Sequence, residues 1–164
     1  LTLDAEVEIA STSGFRYLPL AKFILGNRKT ALETGEMVSA LRIPSTSTTG
    51  QSSFLKLGAR SYLVISISMA ALRLDVDKAG MISTVALSIG ACSEVAIRME
   101  RVESALCGKP LANACERITQ DLFTELAPID DVRAPAQYRR EASVEVVRRL
   151  LAVQQRYFAS ETKA

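Results

Sequence analysis

The side chains best placed to do chemistry lie in F-L-K-L-G-A-R, residues 54 to 60. Read as a strand, this segment puts Phe54, Lys56, Gly58 and Arg60 on one face and Leu55, Leu57 and Ala59 on the other, because side chains alternate. One face is ordinary core. The other offers an aromatic ring, two cations and a glycine, a residue that in strands often marks close approach of a ligand or another backbone. A cation held there would stabilise negative charge on a bound ring system. The plain alternative is a solvated face, since Lys and Arg are mostly exposed.

Composition removes many other chemistries. The chain has 164 residues and no histidine. That excludes Ser-His-Asp and Cys-His nucleophile schemes, His-ligated zinc and the usual general base at neutral pH. Cys92, Cys107 and Cys115 have no C-x-x-C spacing and cannot form a four-cysteine site alone, so they read as small buried hydrophobes of a reducing cytosol. There is no G-x-G-x-x-G and no Walker loop, hence no visible pyrophosphate cradle. A net charge of +2 is too small to suggest nucleic acid or a membrane surface. Asp130, Asp131 and Arg133 read as a helix-start acidic group with a surface ion pair. Arg139, Arg140, Arg148 and Arg149 read as a solvated or subunit-facing flank. No spacing singles out a carboxylate pair.

The elements that must position these groups follow from periodicity. Alternation over Leu1 to Ile9 predicts a half-buried strand, with Ser13 and Gly14 turning into an antiparallel partner over Phe15 to Leu18. Pro19 opens a short helix through Phe23, closed near Gly26. Glu36 to Ile43 is the next strand, ended by Pro44, and the stretch from Glu36 to Arg60 reads as two paired strands. The polar run Ser45 to Ser53 predicts a linker and a subdomain boundary. Three strands are expected over Ser53 to Arg60, Ile65 to Val76 and Met81 to Ala91, the last two joined by a hairpin turn at Asp77 to Gly80. Small residues in them (Ser66, Ser68, Ala70, Ala71, Ser88, Gly90) predict close packing of helices on the sheet. Helices are expected over Ile97 to Cys107, Leu111 to Leu126 and Ala136 to Phe158, the last with Tyr138, Ala142, Val146, Val147, Leu150, Val153 and Tyr157 on one stripe. Strands followed by helices predict an α+β fold: an antiparallel sheet of about three strands packed with C-terminal helices. Leu63 to Leu72, interrupted by Ser66 and Ser68, falls short of the ~20 residues of a membrane helix. The start at Leu1, without Met and directly in a strand pattern, predicts a fragment or an unobserved leading segment.

The ordered motifs resemble a known family. They are R-Y-L-P-L-A-K-F-I-L-G (16–26), K-T-A-L-E-T-G-E-M-V-S-A-L-R-I-P (29–44), F-L-K-L-G-A-R (54–60), A-L-S-I-G-A-C-S (86–93), E-S-A-L-C-G (103–108) and P-I-D-D-V-R-A-P-A-Q-Y-R-R (128–140). Together they resemble the FAD-binding (medium) subunit of molybdenum hydroxylases of the xanthine dehydrogenase and carbon monoxide dehydrogenase type, from Leu1 to about Ala152. The resemblance implies that residues 1–49 end the middle subdomain of an α+β FAD-binding unit and that residues 50–164 form the C-terminal domain. It implies that the Gly-rich pyrophosphate loop and a Ser-Pro-x-Ser-Asp segment lie upstream of Leu1. It maps flavin contacts onto Val38, where the family often has Leu or Ile, and Lys56, with Arg60 and Tyr62 as nearby candidates. S-Y-L-V-I-S after Arg60 resembles one branch of the family rather than the charged stretch of eukaryotic xanthine dehydrogenases, which leaves the electron acceptor open.

The implied function is electron relay in the cytoplasm. A molybdopterin-binding large subunit oxidises the substrate, 2Fe-2S clusters on a small subunit pass electrons on, and FAD delivers them to NAD or another acceptor, while the protein places the ring and tunes its potential. Two other readings stay open at this point: a non-catalytic α+β subunit-interaction module, and a flavoprotein of another oxidoreductase class.

Overall fold

The protein is described by a computed structural model covering residues 1–60 and 64–161. It has two lobes, each built on an antiparallel sheet. In the first, β1 (Glu6–Ser11) turns through Ser13 and Gly14 into β2 (Gly14–Pro19), and β5 (Met37–Arg42) pairs with the other edge of β1, giving the order β2-β1-β5. Between them lie the one-turn helix α1 (Leu20–Phe23), started after Pro19 as expected, and a small ribbon of β3 (Ile24–Gly26) and β4 (Lys29–Thr30). The core here is small: Val7, Ile9 and Phe23, with Leu18, Leu20 and Ala31 against it.

A bulge interrupts the β1–β5 pairing. Ile9 faces Val38 and Val7 faces Leu41, so three residues of β5 span what two span on β1. Ser39 is the extra residue, and its hydroxyl donates to the Glu8 carboxylate at 2.8 Å.

The second lobe is a meander of β6 (Gln51–Leu57), β7 (Ser68–Val76), β8 (Ile82–Gly90) and the two-residue β9 (Ile97–Arg98), in that order. Helix α2 (Glu100–Leu106) packs on β8, and α3 (Ala136–Glu161) packs on β6 and β7. The core fills the space between: Ala70, Leu72 and Leu74 of β7 and Leu87 and Ile89 of β8 meet Met99, Val102, Phe123, Val147, Leu150 and Leu151. The α+β expectation holds, with four strands rather than about three.

Several boundaries differ from the sequence reading. Leu1 to Asp4 form a turn, not strand: the Asp4 amide donates to the Leu1 carbonyl at 3.0 Å and Asp4 has φ +50°. β5 and β6 do not pair with each other; they belong to separate sheets. The segment read as a helix from Leu111 to Leu126 is three short 3-10 turns (Leu111–Asn113, Cys115–Arg117, Gln120–Phe123), because Leu111, Ala114, Ile118 and Phe123 must each reach the core from one irregular path. On α3, Tyr138, Val153 and Tyr157 are exposed, and the buried stripe also includes Ser143, Val144, Leu151 and Gln154. Only part of the small-residue set faces the helices. Ser68 does, its hydroxyl 2.9 Å from that of Ser143, but alternation turns Ala71, Ser88 and Gly90 to the opposite face.

That opposite face receives the first lobe. Arg73, on β7, donates to the Thr2 carbonyl (2.9 Å), the Thr49 carbonyl (3.4 Å) and the Asp4 carboxylate (3.3 Å). Arg98 of β9 donates to Asp4 at 2.7 Å and also pairs with Glu103, and Ser47 donates to Asp4 at 2.7 Å. Asp4 is therefore the hub between the lobes. Burial opposes its ionisation, but Ser47 and Arg98 outweigh that and lower its pKa.

Candidate functional site

Lys56 and Phe54 of β6 face away from the helices, opposite Met69 and Ala71 of β7, on the side of the sheet that carries the first lobe. Both are exposed. β6 is an edge strand, paired only with β7 among the described residues. The Lys56 ammonium donates to the Val64 carbonyl at 2.6 Å, which leaves two further N–H groups to serve a ligand.

Gly58 is not a gap for a ligand. The strand ends at Leu57, and a β-carbon on Gly58 would lie 2.5 Å from Val64 Cγ1. The close approach is made by the chain's own Val64, which folds back over the strand end. Arg60 is exposed in a bend beyond the strand, so it does not share the Phe54–Lys56 face by alternation. Tyr62 lies outside the described residues.

Val38 sits on β5, the edge of the first sheet, opposite Ile9 and 40% exposed. Val38 and Lys56 thus stand on the edges of two different sheets, joined in sequence by residues 43–50. The start of β5 is firmly held. Glu36 accepts from Arg16 Nε and Nη2, both at 2.6 Å, and from the Glu33 amide at 2.7 Å. The Arg16 guanidinium and the Glu33 amide together bring the Glu36 carboxyl down to about 2. The first lobe also keeps an unusual share of apolar side chains in the open: Phe15, Tyr17, Leu25, Met37, Val38, Leu41 and Ile43 are all exposed. By the strand register Phe15, Tyr17 and Met37 lie on one face of the sheet and Val38 and Leu41 on the other.

The residues that the sequence reading underrated lie in the loop before α3 and in its first turn. Arg139 was read as part of a solvated flank, but its side chain is 2% exposed. It donates to the carbonyls of Ile67 (3.0 Å), Ala91 (3.3 Å) and Ala134 (3.3 Å) and to the Asp131 carboxylate (2.5 Å). Asp131 also pairs with Arg133 at 2.5 Å. Burial opposes the charge on Asp131, yet the Arg133 amide and the two guanidinium groups outweigh it and hold the carboxyl at about 2. Asp130 accepts from the Ala136 amide at 2.6 Å, as a helix-start acidic residue should. Arg148 bonds the Ile118 carbonyl (2.6 Å) and Arg140 the Leu126 carbonyl (3.2 Å), while Arg149 is solvated and pairs with Glu145 one helical turn away. Of the cysteines only Cys92 is buried; Cys107 is exposed and Cys115 intermediate. No group of three or more acidic, Cys or His side chains among the described residues could hold a metal. No helix among them is long and apolar enough to cross a membrane.

A meander backed by one long helix, docked to a smaller sheet through Asp4, defines a two-lobed α+β chain with a cation and an apolar side chain on open strand edges. Residues 53–153 match the family described as CO dehydrogenase flavoprotein C-terminal domain, and residues 1–46 match that described as FAD binding domain in molybdopterin dehydrogenase. The chain belongs to the CO dehydrogenase flavoprotein C-terminal domain family. It is 28% identical over 153 residues to the nicotinate dehydrogenase FAD-subunit of Eubacterium barkeri, covering 91% of this chain and 52% of that protein. It is 29% identical over 142 residues to the xanthine dehydrogenase FAD-binding subunit of Escherichia coli O157:H7, covering 85% and 48%. The structure is similar to that of reconstituted CO dehydrogenase from Oligotropha carboxidovorans, with a TM-score of 0.80 at 25% identity over 90% of this chain and 51% of that one. Quinoline 2-oxidoreductase from Pseudomonas putida 86 gives a TM-score of 0.75 at 25% identity, over 92% and 52%. The chain spans about half the length of these relatives.

Proposed function

We propose that this chain supplies the ring side of an FAD site in the flavoprotein subunit of a molybdenum hydroxylase. In that reading residues 1–49 close the middle FAD-binding subdomain and residues 50–164 form the C-terminal domain. The observation that carries it is Lys56: an exposed ammonium on an open strand edge, anchored by a single bond to the Val64 carbonyl, with donors to spare.

The residues present fit the ring and not the phosphates. Val38 offers an apolar surface on the second open edge, and Lys56 offers a cation. The turn glycines with positive φ (Gly14, Gly35, Gly50, Gly80, Gly108) are dispersed, so among the described residues no glycine-rich cradle collects backbone amides for a pyrophosphate. In this proposal that grip comes from an N-terminal FAD-binding segment outside residues 1–164. When bound, FAD supplies reversible electron transfer. Lys56 then acts by charge: an ammonium beside the ring favours the state in which negative charge has accumulated there and so raises the potential. Val38 and the exposed apolar side chains on its face of the first lobe exclude water from the ring.

Electrons arrive, in this proposal, from 2Fe-2S clusters on a small subunit that is fed by a molybdopterin-binding large subunit, and leave to NAD or another acceptor. The relatives named as FAD subunits of nicotinate and xanthine dehydrogenases support a role in an oxidoreductase. Substituting Lys56→Ala in the complete subunit tests it. Flavin occupancy falls or the midpoint potential drops; an unchanged occupancy and potential removes Lys56 from the site. Residues 1–164 alone bind FAD weakly or not at all.

A further inference from the structure

Lys56 has a neighbour that fixes its direction. Its ammonium bonds the Val64 carbonyl, and Val64 is three residues before Ile67. Ile67 is held at both of its backbone groups: its amide donates to the Leu57 carbonyl at 2.8 Å, and its carbonyl accepts from Arg139 Nη1 at 3.0 Å. The Cys92 thiol contacts the same carbonyl at 3.6 Å. The Ile67 side chain is buried. Three residues of chain reach at most ~10 Å, so fixing Ile67 keeps Val64 within that distance of the anchor.

We propose that Arg139, held by Asp131, is a positioning residue for Lys56: it fixes the Ile67 carbonyl and thereby the Val64 carbonyl toward which the ammonium points. The proposal rests on the reading of Lys56 as a flavin contact. Arg139 spends its donors on three separate backbone segments, at Ile67, Ala91 and Ala134, instead of closing one loop. The planar fork can serve several acceptors at once, and a lysine at this place cannot. Asp131 keeps the guanidinium from drifting, through one carboxylate oxygen at 2.5 Å. A charge buried this deeply is retained only with a partner. Asp131 in turn is tied by the backbone amides of Arg133 (2.8 Å) and Ala134 (3.3 Å), so the loop before α3 and the segment after β6 form one mechanical unit.

Asp131→Asn in the complete, flavin-loaded subunit tests this, with Arg139→Lys as the second variant should the first not fold. Two readouts are needed. Amide hydrogen exchange of Ile67, whose N–H donates to the Leu57 carbonyl, reports loosening of this segment without reference to flavin, and it is expected to quicken roughly tenfold or more once the Arg139 bond to the Ile67 carbonyl is weakened. The FAD midpoint potential is measured with Lys56 intact and with Lys56→Ala. Asp131→Asn is expected to shift it only when Lys56 is present, since residues acting through one another are not additive. Unchanged Ile67 exchange, or an equal shift in both backgrounds, overturns the proposal. A Lys56→Ala protein with both wild-type flavin occupancy and wild-type potential overturns the flavin reading itself, and is told apart by that single variant.

Discussion

Asp4→Asn tests the carboxylate hub between the lobes. The Asp4 carboxylate accepts from Ser47 (2.7 Å), Arg98 (2.7 Å) and Arg73 (3.3 Å). Asn tolerates the left-handed backbone at φ +50° and keeps one acceptor oxygen, but its NH2 group cannot accept, so the charge and the bonds of one carboxylate oxygen, to Arg98 or to Ser47 and Arg73, are lost together. The magnitude lies between two limits. Fully exposed ion pairs contribute about 0.2–1 kcal/mol. Breaking a buried pair costs about 3–5 kcal/mol. The Asp4 side chain is 46% exposed and that of Arg73 only 9%, which places the loss at about 1–2 kcal/mol. Asp4→Ala adds about 1 kcal/mol more, because alanine resists the left-handed conformation. The assay is urea unfolding of the complete subunit. With a slope of about 1–3 kcal/mol per molar, the midpoint falls by about 1 M. Ser47→Ala combined with Asp4→Asn costs less than the sum, since both act on one carboxylate. The sign of the pH dependence follows from the lowered Asp4 pKa: the stabilisation is present at neutral pH and is lost as pH falls through that value. A loss below about 0.5 kcal/mol for Asp4→Asn, within the range of an ordinary surface substitution, would refute the hub.

Three other outcomes are expected. The Glu36 carboxyl titrates with a midpoint of about 2 in a carbon-detected NMR titration, so its grip on Arg16 holds above the ordinary carboxylate range and is lost as pH falls from there toward 2; a midpoint near 4 would show the pair broken. Thiol labelling followed by mass spectrometry modifies Cys107 first, Cys115 slowly because burial pushes its thiol up, and Cys92 only on unfolding. Phe123→Ala, at a fully buried side chain, destabilises by about 3–5 kcal/mol in the same urea assay, and a loss under 1 kcal/mol would show the 3-10 segment to be a loose cover.

The strands were legible because half-buried strands write their pairing into alternation: β1, β2, β5, β7 and β8 all fall inside the expected runs, to within a few residues at their ends. The 3-10 stretch was not, since Ala114, Ile118 and Phe123 are spaced nearly as on a helix, and only tertiary contact decides between the two paths. The meaning of Gly58 was half legible. A close approach does occur, but sequence does not say that Val64 makes it. Arg139 was missed for a physical reason. A buried arginine is uncommon, and its signal is a set of backbone carbonyls that no sequence displays. An aspartate eight residues earlier was the one available hint. Val38 and Lys56 came from a motif series, and the structure sets both on open strand edges.

The bulge on β5 makes that strand count residues unevenly. Without Ser39, the remaining residues would still set Val38 against Ile9 and Leu41 against Val7, so loss of this residue is neutral for pairing and straightens the edge. Loss of Val38 instead brings Ser39 opposite Ile9 and puts a hydroxyl where the apolar surface should be. A deletion series along Met37–Arg42 is therefore a finer probe of this edge than substitutions, because it separates the residues that serve as spacers from the one whose side chain matters.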